Sequence, residues 1–352
     1  WPWIFYINVP LGIIAAIMVA TYVHDAKHQE RAETVDVLGF LLLAICVGSL
    51  QFMLEKGERY DWFESRMVTS LALTSAVSFV LLIWRELTID EPIINFRVLK
   101  SRQLAAGVSI AAVLGLALFG SIFMLPIFLQ NLHGLTANQT GMVILPGALA
   151  SAFTMAFVGK NANRLDARWT VTIGAVMFFI SMYMLSRMTL GSGPEETFWP
   201  LILRGVGLGL IFVPLTGATM AEMKDHELAQ GTGMFNLTRQ LGGSLGIAIM
   251  ATMLSRFTAQ KKALLTEHVT TMDPLSLGRL DQLTHGLIAR GVNPVAAKTQ
   301  ALLVLDNQIR AQASVLAFSR IYILSGLILL ASLPLLFLFK TGKGRGSAGM
   351  AH

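Results

Sequence analysis

Nine stretches of about twenty mostly apolar residues run through this chain of 352, at roughly 3–23, 35–55, 67–84, 104–129, 139–159, 169–187, 198–221, 233–255 and 318–340. Wound as α-helix, each matches the hydrocarbon thickness of a bilayer. Few strand-like alternations interrupt them, and their interior Gly and Pro residues are tolerated by membrane helices. The expected fold is an all-α polytopic membrane protein with about nine transmembrane helices. Composition agrees: 54% of residues are hydrophobic and 14% charged, against about 25% charged in soluble domains. A net charge of +6 would elsewhere suggest nucleic acid. Here the basic residues fall between apolar runs, where orientation in the membrane explains them, and no DNA- or RNA-binding constellation is present. The single cysteine, Cys46, lies inside an apolar run, which excludes an intrachain disulfide and suits a small packing residue.

Those basic residues choose an orientation. Lys340, Lys343 and Arg345 in the C-terminal tail fall on one side with Lys27, Arg31, Arg85, Arg97, Lys100, Arg102, Lys160, Arg164, Arg168 and Lys224, against Lys56, Arg59, Arg66 and Arg187 on the other. The positive-inside rule therefore expects a cytoplasmic C-terminus and, with nine spans, a first residue outside. The chain opens Trp1-Pro-Trp-Ile-Phe, with no start methionine, basic n-region or cleavage site. It reads as a fragment whose N-terminal part is absent, with an odd number of spans missing. One connection is long, an outer loop over 256–317. Inside it, Pro294 to Leu316 has helical spacing, with Val295, Leu302, Leu305, Ile309 and Leu316 as apolar positions, and is expected to be an amphipathic surface helix on the bundle or at the interface.

The stretch from Leu201 to Gly246 carries the candidate function. Two apolar segments there each hold an arginine, Arg204 and Arg239. At 100° per residue Asn236, Arg239, Gln240 and Gly243 share one helix face, as do Gly205 with Gly209 and Gly242 with Gly246. The glycine pairs are candidate helix-packing positions, because small residues let backbones approach closely. Amide and guanidinium groups at membrane depth are expensive unless they face a bundle interior or a watery cavity, so the stripe reads as a substrate pathway. Both arginines also lie near enough to the ends of their segments to snorkel to a headgroup. The run Gly205-Val-Gly207-Leu-Gly209 is not a nucleotide loop, since no strand precedes it.

In the fourth span Phe119, Phe123, Met124 and Phe128 surround Gly120 and Pro126. Such a stripe serves packing or an adaptable surface for apolar ligands, and Phe119 and Phe123 join the candidate pathway. Pro146 with Gly147, and Pro214, are candidate helix breaks near a cavity. The inner loop from Gly159 to Arg168, with Arg164 and Asp166, is either an ion-pair latch between helix ends or a solvated basic loop. The histidines at 24, 28, 133, 226, 268, 285 and 352 are scattered, giving no metal-ligand spacing and no nucleophile–base pair. An enzyme is not expected, and no cofactor is implied.

Four motifs carry a family resemblance: Trp1-Pro-Trp-Ile-Phe-Tyr-Ile-Asn8-Val-Pro10-Leu-Gly12, Asp36-Val-Leu-Gly39, Arg204-Gly-x-Gly-x-Gly209 with Pro214, and Asn236-x-x-Arg239-Gln240-x-Gly-Gly-Ser-x-Gly246. Together they resemble the major facilitator superfamily and, within it, the fourteen-span drug:proton antiporter family of bacterial multidrug exporters. The resemblance implies the C-terminal half of a facilitator fold plus linker spans: 1–23 as the last span of the N-terminal half, 24–103 as two linker spans, 104–340 as the six-span bundle and 341–352 as a cytoplasmic tail. Nine spans with five missing would make fourteen. It further implies a multi-pass inner-membrane transporter exporting small apolar or amphiphilic compounds against protons, with a missing N-terminal half and a periplasmic adaptor protein as candidate partners. A metabolite or lipid exporter on the same fold, or a non-transporting assembly or sensor subunit, are the alternatives. Gly159, Arg164 and Arg168 match part of the superfamily's Gly-x-x-x-Asp-Arg-x-Gly-Arg-Arg loop, while Asn163 replaces its acid, Asp166 its second glycine, and Pro2 the family's usual arginine.

Overall fold

The computed structural model describes residues 6, 8–22, 36–89, 101–162, 164–221, 223, 228–270 and 273–338. Among these, α-helices follow one another without a strand: α1 Asn8–Tyr22, α2 Val37–Lys56, α3 Arg66–Thr88, α4 Arg102–His133, α5 Ala137–Lys160, α6 Ala167–Ser186, α7 Pro194–Met220, α8 Leu228–Glu267, α9 Pro274–Ala289 and α10 Pro294–Ala331. Eight helical segments, α2 to α8 and α10 with its following turn, are long and apolar enough to cross a membrane. The protein is therefore an all-helical polytopic membrane protein. The expectation of nine spans differs at the start of the chain. There α1 is apolar over 15 residues, in a compact unit of its own covering 1–37, while residues 1–5 and 7 of the first motif lie outside the described residues. So do Lys27, Arg31, Arg97, Lys100, Asn163, Lys224, Lys340, Lys343, Arg345, the tail 341–352 and the histidines at 24, 28, 226 and 352.

Within the second unit, short polar connections turn the chain back on itself. Gly134 adopts the left-handed conformation (φ 67°) that closes a helix, and the Leu135 amide donates back to the Leu129 carbonyl. Two residues on, Thr136 and Gln139 form a reciprocal capping box that starts α5. The two helices are thus joined by three residues. α7 lies between α5 and α6, while α10 joins α6 to the α4–α8 pair. The apolar centre holds Phe128, Phe178, Met182, Phe235 and Tyr322 with little or no exposure, and Phe128 meets Phe318 edge-on at 5.2 Å, tying α4 to α10. In the linker pair, the Ser75 hydroxyl donates to the Cys46 carbonyl at 3.1 Å, so the cysteine sits at the α2–α3 contact.

Glycines set how closely the bundle helices approach. A Cβ on Gly205 would fall on the Gly147 carbonyl oxygen, and one on Gly209 would meet Thr154 at 2.6 Å, so α7 lies against α5. On α8, Gly242 and Gly246 press against the Ala112 and Leu116 carbonyls of α4, and Gly115 of α4 returns the contact at Arg239. Gly207 does the same toward Gly174 of α6. The expected helix breaks do not occur. Pro146 and Pro214 lie inside continuous helices, and Gly147 serves the α5–α7 contact.

The connection expected over 256–317 is mostly helical. α8 runs on to Glu267, α9 follows, and the expected surface helix is the first half of α10, continuous with the last span. At 1.5 Å per residue, helices of 40 and 38 residues span roughly 55–60 Å, twice the hydrocarbon thickness, so both stand well clear of it. Lys262 and Asp306 bridge them at 2.7 Å, Arg320 lies 5.7 Å over the Phe257 ring, and α9 packs along α10.

Asp273 starts α9 by accepting from the Ser276 hydroxyl and from the Ser276 and Leu275 amides. These bonds, the Ser276 hydroxyl first, hold its carboxyl below the ordinary carboxylate range. A carboxyl whose folded pKa is depressed stabilises the cap above its unfolded pKa and loses that effect as pH falls through the folded value. Hydrogen-exchange protection factors, corrected for the intrinsic rate at each pH, should therefore fall at the first turn of α9 below about pH 4. Asp273→Ala should already exchange fast at neutral pH, and unchanged protection in that variant would show that the cap does not hold the turn.

Candidate functional site

Because Gly242 and Gly246 pin one line of α8 to α4, the residues 60–160° round the helix run from the edge of that contact toward the opposite face. They are Asn236, Arg239, Gln240 and Gly243. Asn236 and Gln240 are exposed, and Arg239 is half-buried beside them. Its guanidinium lies 5.3 Å over the Phe212 ring of α7, and Nη2 donates to Asn236 Oδ1 at 3.3 Å. Nε is buried without a partner among the described residues. The arginine is therefore held on two sides, by a ring face and an amide, with one donor unused. The side of α8 at Gly243 is filled rather than open. The ring of Phe119 from α4 occupies that space, 2.6 Å from where a Cβ would stand. Phe123 lies one turn further along α4 with 38% exposure.

Arg204 is not part of this group. It is 94% buried in the bundle interior, with a relative exposure of 6%, and is coupled electrostatically to Tyr322 of α10. Arg204 Nη1 and the Tyr322 hydroxyl are both buried without hydrogen-bond partners among the described residues. Eight positions separate Arg204 from Phe212 along α7, about 12 Å, so the two arginines act at different depths. At the inner loop, Asp166 caps α6 by accepting from the Arg168 amide at 2.9 Å, while Gly159 has open space around it. Neither Arg164 nor Arg168 forms an ion pair among the described residues, and Arg168 Nε is buried without a partner.

Reading the residues alone missed Phe212 and Tyr322. Phe212 stands in an unbroken apolar run and carries no signal. A tyrosine inside the last span was a signal, since its hydroxyl at membrane depth needs an explanation.

A family model described as Major Facilitator Superfamily matches residues 1–247. The chain belongs to the Major Facilitator Superfamily. Relatives cover nearly all of it. It is 31% identical over 351 residues to the multidrug export protein EmrB of Escherichia coli, a match covering 99% of this chain and 67% of that protein. It is 29% identical to the fatty acid resistance protein FarB of Neisseria gonorrhoeae, with the same coverage. Among solved structures, a bacterial homolog of the human lysosomal transporter Spinster, inward-facing and occupied, superposes with a TM-score of 0.50 at 15% identity, over 88% of this chain and 67% of that one. The protein is thus a multi-pass membrane transporter of the superfamily, and its partners include a small-molecule substrate and the bilayer.

In this superfamily member the site's parts come from three helices. α8 supplies amides and a guanidinium, α4 supplies aromatic rings, and α7 supplies the ring under the cation. Close helix contacts fix their spacing, because Gly115 on α4 touches the backbone of Arg239 itself.

Proposed function

We propose that this chain belongs to a proton-coupled exporter of small apolar or amphiphilic compounds working by alternating access. The carrying observation is the exposed stripe of Asn236, Arg239 and Gln240, flanked by Phe119 and Phe123. It joins hydrogen-bonding groups to adaptable apolar surface on one side of a bundle. The name of the Escherichia coli relative, a multidrug export protein, supports the substrate class. A lipid-like substrate is the second reading. It is favoured by the relative named for fatty acid resistance and by the guanidinium, which suits an anionic head. In the orientation proposed here the C-terminus is cytoplasmic in the plasma membrane, and the α8–α10 extension stands outside, on the side from which a periplasmic adaptor would approach.

Alternating access needs a second bundle facing the stripe. We place it in the third of the relatives' length that this chain does not span. The test is flux of fluorescent amphiphiles in vesicles with and without a pH gradient. The complete protein should give gradient-dependent flux, and the 352 residues alone should give none above empty vesicles. Gradient-independent behaviour of the complete protein would overturn proton coupling. Flux by the isolated chain would overturn the need for a facing bundle.

A further inference from the structure

Where α7 begins, a groove opens between α5 and α7. They touch where Gly147 meets Leu201 and Gly205, and further along where Gly209 meets Thr154. Toward the start of α7, Met142, Val143 and Pro146 on one side and Phe198 and Trp199 on the other line the space between them. The result is an open groove of about 510 Å³, with Glu195 at its edge. That volume lies within the range of small-molecule sites.

The groove is not generic apolar surface. Phe198 and Trp199 stand at right angles, their ring centroids 5.5 Å apart at an interplanar angle of 82°. Both are exposed, Trp199 at 68%. Two π-faces and edges thus line one wall. Among the described residues the Glu195 carboxylate forms no ion pair or hydrogen bond, although it stands in the first turn of α7. The helix start alone explains an acid at this position. It does not explain an aromatic wall and an open groove beside that acid. By position, one turn into a spanning helix, the groove lies at the membrane–water boundary, where tryptophan is enriched and amphiphiles concentrate.

We propose that this groove binds an amphiphilic organic cation, its apolar tail between Met142, Pro146 and Trp199 and its ammonium head beside Glu195. The head is attracted by the carboxylate and by the ring faces of Phe198 and Trp199. The tail covers apolar surface that is otherwise exposed. The site is separate from the Arg239 stripe, whose guanidinium would repel the same head. It does not depend on transport, so its failure and that of the proposed function are distinguishable: binding is read on the chain itself, without flux.

The test is calorimetric binding of dodecyltrimethylammonium to the 352-residue chain in phosphatidylcholine nanodiscs, with empty nanodiscs subtracted. Dodecyldimethylamine oxide, with the same tail and a neutral head at pH 8, is the companion probe. Saturable binding is expected for the cation, several-fold tighter than for the amine oxide. Glu195→Gln should weaken the cation by about five- to tenfold and leave the amine oxide unchanged. Glu195→Asp should restore most of the difference. Trp199→Ala should weaken both probes, with helix content by circular dichroism confirming that the variant folds. Equal affinity of the wild-type chain for the two probes, or cation binding indifferent to Glu195→Gln, would overturn the proposal. Loss of cation binding only in nanodiscs containing phosphatidylethanolamine would overturn it too, by assigning the groove to a lipid amine.

Discussion

Replacing Arg239 by lysine is expected to lower transport by the complete protein about tenfold or more, with expression and membrane insertion unchanged. Lysine keeps the charge, and an ammonium can still lie over the Phe212 ring. It cannot also reach Asn236 Oδ1 in the plane the guanidinium uses, and it has no counterpart to Nε, the buried donor without a partner. Hydrogen bonds to charged groups are worth about 1.5–3 kcal/mol, which corresponds to a ten- to hundredfold effect if they are made in the transport cycle. A snorkelling arginine would need neither the ring nor the amide, and would tolerate lysine. Near wild-type flux in Arg239→Lys therefore returns the residue to that role. Arg204→Lys has a different expected outcome. Its guanidinium lies among buried side chains beside Tyr322, so the exchange should lower melting temperature and yield rather than flux per folded molecule.

The contrast between the two arginines shows what sequence could and could not convey. Both sit in apolar runs beside glycines, and helical angles alone put each on a stripe with small residues. Which stripe faces a neighbour depends on where the neighbouring backbones lie. Only the contacts of Gly207 with Gly174 and of Gly242 with Ala112 turn Arg204 inward and leave Asn236 and Gln240 exposed. The membrane class and the sites of close helix contact were legible, because bilayer thickness and the absence of a Cβ act on residues independently of their partners. The length of α8 and α10 was not. A span estimate stops at the hydrocarbon boundary, whereas a helix stops only at a breaker or a cap. Between Arg256 and Glu267 the sequence supplies Ala, Gln, Lys and Leu, good helix formers, and no Gly or Pro. Between Pro294 and Leu316 it again holds neither inside the helix, so α10 enters the membrane without interruption. Gly243 carries a similar ambiguity. A missing side chain marks space, but not which neighbour, here Phe119, fills it.

The largest stability effects are expected at those contacts. Gly205→Val and Gly246→Val each place a branched side chain on a carbonyl oxygen of the next helix, Gly147 in one case and Leu116 in the other. Backbone cannot rotate aside as a flexible side chain can, so the helices must separate. Overpacking of this kind costs about 1–3 kcal/mol even where side chains can adjust, and membrane helix pairs rely on close packing more than on solvent exclusion. Both variants should aggregate or melt several degrees below the parent chain in detergent by fluorescence-detected size exclusion, since each kcal/mol lost lowers the melting temperature by roughly 1–2 °C in a chain of this size. Glycines that meet nothing within 4 Å, Gly217 on α7 and Gly233 on α8, provide the comparison on the same helices. Alanine there should be neutral or raise the melting temperature, since it favours helix by up to about 1 kcal/mol over glycine. If Gly205→Val melts with the parent, α5 and α7 are not in contact at this point. The groove between Pro146 and Trp199 would then lose the crossing that shapes it, so this experiment bears on the cation site as well as on the fold.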